Sequence, residues 1–130
     1  MMAPPLRLTK AVQHVRDGVL DGYYIWCQGC KHVHFFPLAS HYERRDKPPT
    51  KKPVWTFSGS LELPTFSPSL REYYVRPASH GEQAGQEITT CHCIVTGGRI
   101  QFCADCQHEL KGHTLELELI PADYGLPPDS

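Results

Sequence analysis

The sequence predicts a mainly β domain, with a small α+β fold as the alternative. Short runs of β-branched and aromatic residues alternate with turn residues along the chain, which is typical of hairpins. Twelve prolines and ten glycines among 130 residues indicate many turns and short elements. Six cysteines stand close to histidines, a pattern typical of zinc sites. We therefore expect zinc-stabilised β-hairpins and short strands, about seven in all, with about one or two short helical turns.

Length, charge and hydropathy exclude several classes of protein. A chain of 130 residues fits a single zinc-binding domain, and we expect loosely ordered ends at 1–8 and 121–130. The formal charge of -1 gives no global electrostatic argument for nucleic acid. No apolar run is long enough for a membrane span, and no signal-peptide pattern is present. We expect a cytoplasmic protein with no membrane partner, in which metal binding is favoured over disulfides or a redox pair.

The first elements are predicted around two turn signals. Residues 8–20 are ambiguous, because their apolar spacing suits a short helix but Gly18 interrupts it. We interpret Asp21-Gly22 as a turn and 23–26 as the strand that follows it.

The strongest local signal is the Cys27-x-x-Cys30 motif that ends this strand. C-x-x-C lets two thiolates point at one ion from a tight turn, and we expect Gly29 to supply the backbone freedom of that turn. A second strand over 31–36 leaves the motif, and alternation puts His34 on the same face as His32.

The middle of the chain is predicted to be irregular. Residues 40–53 are interpreted as a basic surface loop, or alternatively as a patch for a phosphate or an acidic partner. A short strand is predicted over 54–57. Residues 63–70 contain two prolines and three hydroxyl residues, which favours an extended segment over a helix or a central strand. Its expected core contacts are Leu63, Phe66 and Leu70.

The C-terminal half has clearer periodicity. A strand over 72–75 precedes a flexible loop, and a hairpin over 88–103 turns at Gly97-Gly98. Residues 114–119 alternate strictly between leucine and polar residues, which predicts a half-buried strand. The leucines expected to face the core are Leu115, Leu117 and Leu119.

The register of the predicted hairpin separates two neighbouring ligand candidates. A two-residue turn places His92 opposite Cys103 on one face, and Asp105 continues that face if the strand extends that far. Cys91 and Cys93 then lie on the other face. Cys91 and His92 therefore cannot both bind one ion from a regular strand.

The sequence predicts one zinc ion but identifies only half of its ligands. Structural zinc takes four tetrahedral sulfur or nitrogen ligands, whereas catalytic zinc takes three and a water. Cys27 and Cys30 are the safest pair. One model is a zinc ribbon in which Cys103 and Cys106 complete the site.

The other model draws on histidines. It uses His92 and His108, with Asp105 as a ligand, a general base or a group that orients a ligand. His34 is able to replace any of these ligands.

Several short motifs occur in a fixed order, and together they carry a resemblance. They are Trp26-Cys27-x-Gly29-Cys30-x-x-x-His34, Trp55-x-Phe57-x-Gly59, Pro64-Thr-Phe-Ser-Pro-Ser-Leu70, Cys91-His92, Gly98-x-Ile-x-Phe102 and Asp105-Cys-x-His108-x-Leu-x-Gly112. In this order, residues 23–120 resemble a family of small phage and prophage proteins that are often labelled "ammonia monooxygenase". The resemblance implies no established activity, and it implies a host-cell cytoplasmic location.

The resemblance also implies which residues form the site. It favours Cys27, Cys30, His34, Cys91, His92 and His108 as metal ligands, together with Asp105. It gives less weight to Cys103 and Cys106, because other members need not have cysteine there.

The preferred function is a non-enzymatic zinc module that binds or inhibits a host or phage protein. A closed zinc site would stabilise so small a β-rich chain. The surfaces considered for that contact are Pro64–Leu70, the aromatic residues Tyr73 and Tyr74, and the basic residues 44–52.

Two other functions stay open. A zinc-dependent hydrolase would use Asp105 to activate water beside His92 and His108, so enzymatic activity is uncertain, with the balance against it. Nucleic-acid binding through zinc knuckles would use aromatic residues such as Trp26 and the arginines at 44–45, and the near-neutral charge disfavours it. Ligand count is expected to separate these functions, since four protein ligands on zinc would exclude the hydrolase.

Overall fold

The computed structural model describes residues 9–43 and 53–126, which form nine strands in three antiparallel sheets. This confirms the prediction of a mainly β fold. The strands are β1 (Val12–Arg16), β2 (Val19–Cys27), β3 (His32–Pro37), β4 (Thr56–Gly59), β5 (Pro64–Ser67), β6 (Leu70–Val75), β7 (Glu87–Thr96), β8 (Arg99–Phe102) and β9 (Thr114–Glu116). A single helical turn, α1 (Ser40–Glu43), and a 3-10 segment at Ala78–Gln83 accompany them. The N-terminal end at 1–8, the basic residues at 44–52 and residues 127–130 lie outside the described part of the chain.

The first sheet has the order β1-β2-β3 and corrects the expectations for residues 8–22. The turn between β1 and β2 lies at Asp17-Gly18, where both residues have positive φ, as a two-residue hairpin turn requires. The ambiguity over residues 8–20 is resolved in favour of strands, because the β-branched valines pair across β1 and β2 and form no helix. The predicted turn at Asp21-Gly22 is wrong, since both residues are buried within β2. A side chain at Gly22 would overlap the Phe35 ring, so glycine is needed there for close packing.

The other two sheets contain the rest of the strands. The strands β4 and β5 form a two-stranded sheet, and the third sheet has the order β6-β7-β8-β9. The turn at Gly97-Gly98 gives the predicted register, with Thr96 opposite Arg99. No helix of the described residues is long and apolar enough to cross a membrane.

One hydrophobic core is shared by residues from all three sheets. Phe36 of β3 stacks on Phe66 of β5, with ring centroids 4.2 Å apart. Tyr23 of β2 stacks on Phe57 of β4 at 4.3 Å. The same core contains Cys27 at the end of β2 and Cys91 in β7. The core therefore brings the first sheet and the third sheet together at their cysteines.

Two leucines expected in the core are exposed. Leu63 is 55% exposed because it lies just before β5, whereas Phe66 and Leu70 are buried as predicted. Leu119 is 46% exposed because β9 ends at Glu116 and the alternation does not continue. Leu117 is buried as expected.

Candidate metal centre and candidate active site

Four side chains from the first and third sheets converge in a group that we name the Cys–His site. Cys27 ends β2, Cys30 follows it in the turn, His34 lies in β3 and Cys91 lies in β7. One ligand atom from each residue lies within 4.8 Å of all the others. Three of the residues are buried and Cys30 is partly buried. The group is therefore able to hold a metal ion that joins the two sheets.

The turn between Cys27 and Cys30 is closed by the backbone. The Lys31 N–H donates to the Cys27 carbonyl at 2.9 Å, and the Cys30 N–H donates to Cys27 Sγ at 3.3 Å. The residue in the left-handed region is Lys31, with φ 62°, and not Gly29 as expected. Glycine at position 29 serves a different purpose, because a Cβ there would lie 2.2 Å from the His108 ring. Gly29 thus lets the imidazole of His108 approach the turn.

His34 has the orientation that a metal ligand requires. Its Nδ1–H donates to Glu72 Oε1 at 2.6 Å, and such a carboxylate commonly fixes the tautomer of a ligating histidine. The other nitrogen, Nε2, is buried and finds no hydrogen-bond partner among the described residues. A buried polar nitrogen without a hydrogen-bond partner is unfavourable, and a metal ion that replaces any proton on Nε2 and lies between it and the three thiols would satisfy it.

Electrostatics within the Cys–His site favour the ligand form of Cys27. Hydrogen bonds from Cys30 and Cys91 outweigh burial and hold the pKa of the Cys27 thiol far below its usual range. Burial lowers the pKa of His34, but its contacts with Cys27, Cys30 and Glu72 outweigh this and raise that pKa to about 12. Thiolate is the form of cysteine that binds metal, so Cys27 is the thiol of this group that is most readily a ligand, whereas hydrogen bonds with Cys27 and Cys30 raise the pKa of Cys91.

Two further sequence candidates lie beside the Cys–His site. His108 Nε2 lies 3.5 Å from Cys91 Sγ, and Cys106 belongs to the same cluster. The Cys106 thiol also contacts the backbone of His92, accepting from its N–H and donating to its carbonyl at 3.1 Å each. Cys106 therefore connects the Cys–His site with the backbone of His92.

A second constellation lies on the opposite face of β7. His92 Nε2 is 3.1 Å from the hydroxyl of Ser69, and its Nδ1 is 3.1 Å from Asp105 Oδ1 and 3.2 Å from Oδ2. The side chain of His92 is 28% exposed and that of Asp105 is 52% exposed. Hydroxyl, imidazole and carboxylate in this order have the arrangement of a Ser–His–Asp triad, in which a carboxylate orients an imidazole towards a hydroxyl.

The backbone around the triad is tied together by several hydrogen bonds. The Trp55 indole N–H donates to the Ser69 carbonyl at 3.4 Å, and Ser69 directly precedes β6, which pairs with β7. The Cys103 N–H donates to the His92 carbonyl at 2.8 Å. The Gln107 N–H donates to the carbonyl of Thr90 at 3.1 Å, which holds the loop carrying Asp105 against β7.

The structure divides the sequence-predicted site residues between two places. It brings Cys27, Cys30, His34 and Cys91 together, with His108 in contact. It places His92 and Asp105 together on the other face, with Cys103 beside them. Whether any of these residues binds metal stays a prediction.

Ser69 is the residue that sequence reasoning missed. Its segment, Pro64–Leu70, contains several hydroxyl residues and prolines, but that composition also suits an ordinary extended segment. The signal that identifies Ser69 is its distance to His92, which depends on how β6 pairs with β7.

Comparison with known proteins identifies a family. A family model described as bacterial ubiquitination-like system serine protease (BubE) matches residues 4–103. That range includes Ser69, His92 and the whole Cys–His site, and it ends before Asp105. Searches of curated proteins and of solved structures gave no match. The resemblance to phage proteins is not addressed by these findings and stays a prediction.

This match corrects the functional expectation. The preferred function was a non-enzymatic accessory module, with the balance against enzymatic activity, and both expectations are wrong because the matching family is one of proteases. The alternative function, a hydrolase, fits the match better.

Proposed function

The chain belongs to the BubE family of bacterial ubiquitination-like system serine proteases, and from this premise we propose that it is a serine peptidase whose nucleophile is Ser69. The observation that carries the proposal is the contact of Ser69 with His92, which in turn contacts Asp105. Arrangements of this kind occur on unrelated folds and are recognised by geometry rather than by sequence order.

Each residue of the triad has a defined role in the proposed reaction. His92 Nε2 accepts the proton of Ser69 as the serine oxygen attacks the carbonyl carbon of a peptide bond. The protonated imidazole then gives this proton to the leaving amine, which departs and leaves an acyl–serine ester. A water molecule, deprotonated by His92, hydrolyses the ester and restores the serine. Asp105 accepts the Nδ1 hydrogen bond and so keeps Nε2 available as the base.

The proposed metal is zinc, held by the Cys–His site and outside the triad. Three cysteines and one histidine are a donor set typical of closed structural zinc sites, and the unpartnered Nε2 of His34 supports this assignment. Zinc would stabilise the folded chain by joining β2 and β3 to β7. Four protein ligands therefore do not argue against a hydrolase here, because the triad needs no metal.

The family description also bears on the substrate. The triad is partly exposed to solvent rather than enclosed, so it is accessible to a polypeptide. Because the family is described within a ubiquitination-like system, we propose a polypeptide substrate and protein partners.

A fluorophosphonate probe tests the proposal without a known substrate. Such probes phosphonylate an activated serine and release fluoride, so we expect one adduct per chain, mapped to Ser69 by peptide mass spectrometry. Ser69→Ala should abolish labelling, a loss of about 10³-fold or more. Ser67→Ala, an exposed serine on the same segment, is the matched control and should label at the wild-type rate. Labelling that persists in a folded Ser69→Ala variant would refute the assignment.

A further inference from the structure

Cys103 lies next to the triad and takes no part in it. A nitrogen of His92, the sulfur of Cys103 and an oxygen of Asp105 all lie within 4.8 Å of one another. Cys103 forms no disulfide, and its thiol is not part of the Cys–His site. Unlike the buried Cys–His site, this group is partly exposed to solvent.

The three side chains suit a thiophilic divalent cation. Imidazole, thiolate and carboxylate are the ligands that zinc prefers, and three protein ligands leave a position for water. His92 lies in β7, next to the last residue that pairs with β8, and the other two ligands lie in the turn after β8. Hydrogen bonds of the Cys103 N–H and the Cys106 thiol hold that turn against the backbone of His92. The ligands are thus brought together by the same contacts that position the triad.

We propose that His92, Cys103 and Asp105 form a second metal site that inhibits the enzyme reversibly when zinc binds from solution. The proposal rests on the proposed function, since its consequence is loss of the catalytic base. On binding, a metal–sulfur bond forms and the Cys103 proton passes to solvent, with no change of oxidation state.

The geometry explains why binding inhibits. A neutral imidazole has one lone pair, and proton transfer from Ser69 requires that lone pair on Nε2. A cation bound to Nε2 occupies it directly. A cation bound to Nδ1 leaves the proton on Nε2, which then donates to Ser69 instead of accepting from it. In either case, His92 is unable to act as the base.

The two sites are distinguishable by their exposure. The Cys–His site is buried apart from Cys30, so its metal should exchange slowly, whereas the outer group should load and release metal within the time of a brief chelator treatment. A protein carrying one tightly bound zinc per chain is therefore the starting material for the test.

The test has one readout of activity and one of binding. The first is the rate of fluorophosphonate labelling in buffers of fixed free zinc. The second is the thiolate-to-cobalt absorption band formed when Co²⁺ is added as the second metal equivalent. In the wild type we expect labelling to slow at least about tenfold and to recover after brief EDTA, and the cobalt band to form.

Substitutions at Cys103 distinguish inhibition by zinc at this site from inhibition by zinc that binds elsewhere. In Cys103→Ala and Cys103→Ser we expect unchanged labelling without added zinc, inhibition only at zinc concentrations about tenfold higher or more, and no cobalt band. His113→Ala removes an exposed histidine outside the group and should behave as the wild type. Equal inhibition of the wild type and both Cys103 variants, or a cobalt band that persists in them, would overturn the proposal. Absence of labelling even without zinc would count against the proposed function alone, because the cobalt band still reports the second site.

Discussion

Cys91 and His92 are neighbours in β7, but their side chains belong to two different sites on opposite faces of the strand. Cys91 lies with Cys27, Cys30 and His34. His92 contacts Ser69 and Asp105. Strand alternation requires this division, since successive side chains point to opposite faces. The Cys–His site therefore holds the strand that carries the proposed base without contributing to the reaction itself.

Asp105 is expected to act through the orientation of His92. In Asp105→Asn, an amide nitrogen can face Nδ1 and favour the tautomer that leaves Nε2 without a lone pair. We expect fluorophosphonate labelling to slow about 10³-fold or more, with little change in melting temperature because Asp105 is half exposed. Asp123→Asn, at an exposed aspartate outside both sites, is the control. A labelling rate within a few-fold of the wild type in Asp105→Asn would exclude this role.

Removal of one thiol from the Cys–His site should abolish metal binding and destabilise the fold. Structural zinc contributes about 10 kcal/mol or more to the folding of small zinc domains. The total stability of a domain is about 5–15 kcal/mol. Cys27→Ser should therefore lose its zinc and unfold or melt at a much lower temperature, measured by metal analysis and circular dichroism. Cys103→Ser is the matched control and should keep its tightly bound zinc. Unchanged zinc content and melting temperature in Cys27→Ser would rule out the metal centre.

Glu72 is expected to tune the metal centre through His34. It accepts the Nδ1 hydrogen bond at 2.6 Å, and loss of such a carboxylate typically weakens metal binding about 10–100-fold. Glu72→Ala should show this loss in competition with a chromophoric chelator, and Glu72→Gln, which keeps an acceptor oxygen, should recover most of it. Glu118→Ala removes an exposed glutamate elsewhere and serves as the control. Equal affinities for Glu72→Ala and Glu118→Ala would show that the contact is unimportant for binding.

The sequence predicted those strand pairings that depend on residues close together in the chain. The hairpin of β7 and β8 has the predicted register because a two-residue turn at Gly97-Gly98 permits only one close pairing. Ser69 was missed because it lies 23 residues before His92. The two meet through the β6–β7 pairing, which contains an irregularity after Glu72 and is joined by a long connection. No short-range pattern determines a register of that kind.

The wrong prediction of a turn at Asp21-Gly22 also results from contacts that local sequence does not reveal. Asp17-Gly18 and Asp21-Gly22 have equal turn signals in the sequence. Contacts in the folded chain determine which of the two pairs forms the turn. Gly22 packs against the Phe35 ring, and the Asp21 carboxylate binds two histidines inside the fold. Tertiary contacts thus override a local preference that, taken alone, favours neither position.

Those contacts of Asp21 predict how acid affects stability. The buried carboxylate accepts from His14 Nδ1 at 2.5 Å and from His41 Nδ1 at 3.0 Å. Burial raises the pKa of Asp21, but the two histidines outweigh burial and lower that pKa below 3.8. Because the folded-state pKa lies below the unfolded one, the carboxylate stabilises the fold fully above pH 3.8. This contribution is lost as the pH falls through the lower, folded-state value.

Comparing the free energy of unfolding of Asp21→Asn with that of the wild type separates the stability contributed by Asp21 from the stability contributed by the metal centre. Acid also protonates metal ligands, but this loss affects both proteins alike and cancels in the difference. At neutral pH we expect the free energy of unfolding by urea to be about 2–3 kcal/mol lower in Asp21→Asn, the usual scale for hydrogen bonds to a buried charged group. The difference should shrink as the pH falls below 3.8, whereas Asp123→Asn should match the wild type throughout. A difference that is absent at neutral pH, or that grows in acid, would contradict the stabilising role of this carboxylate.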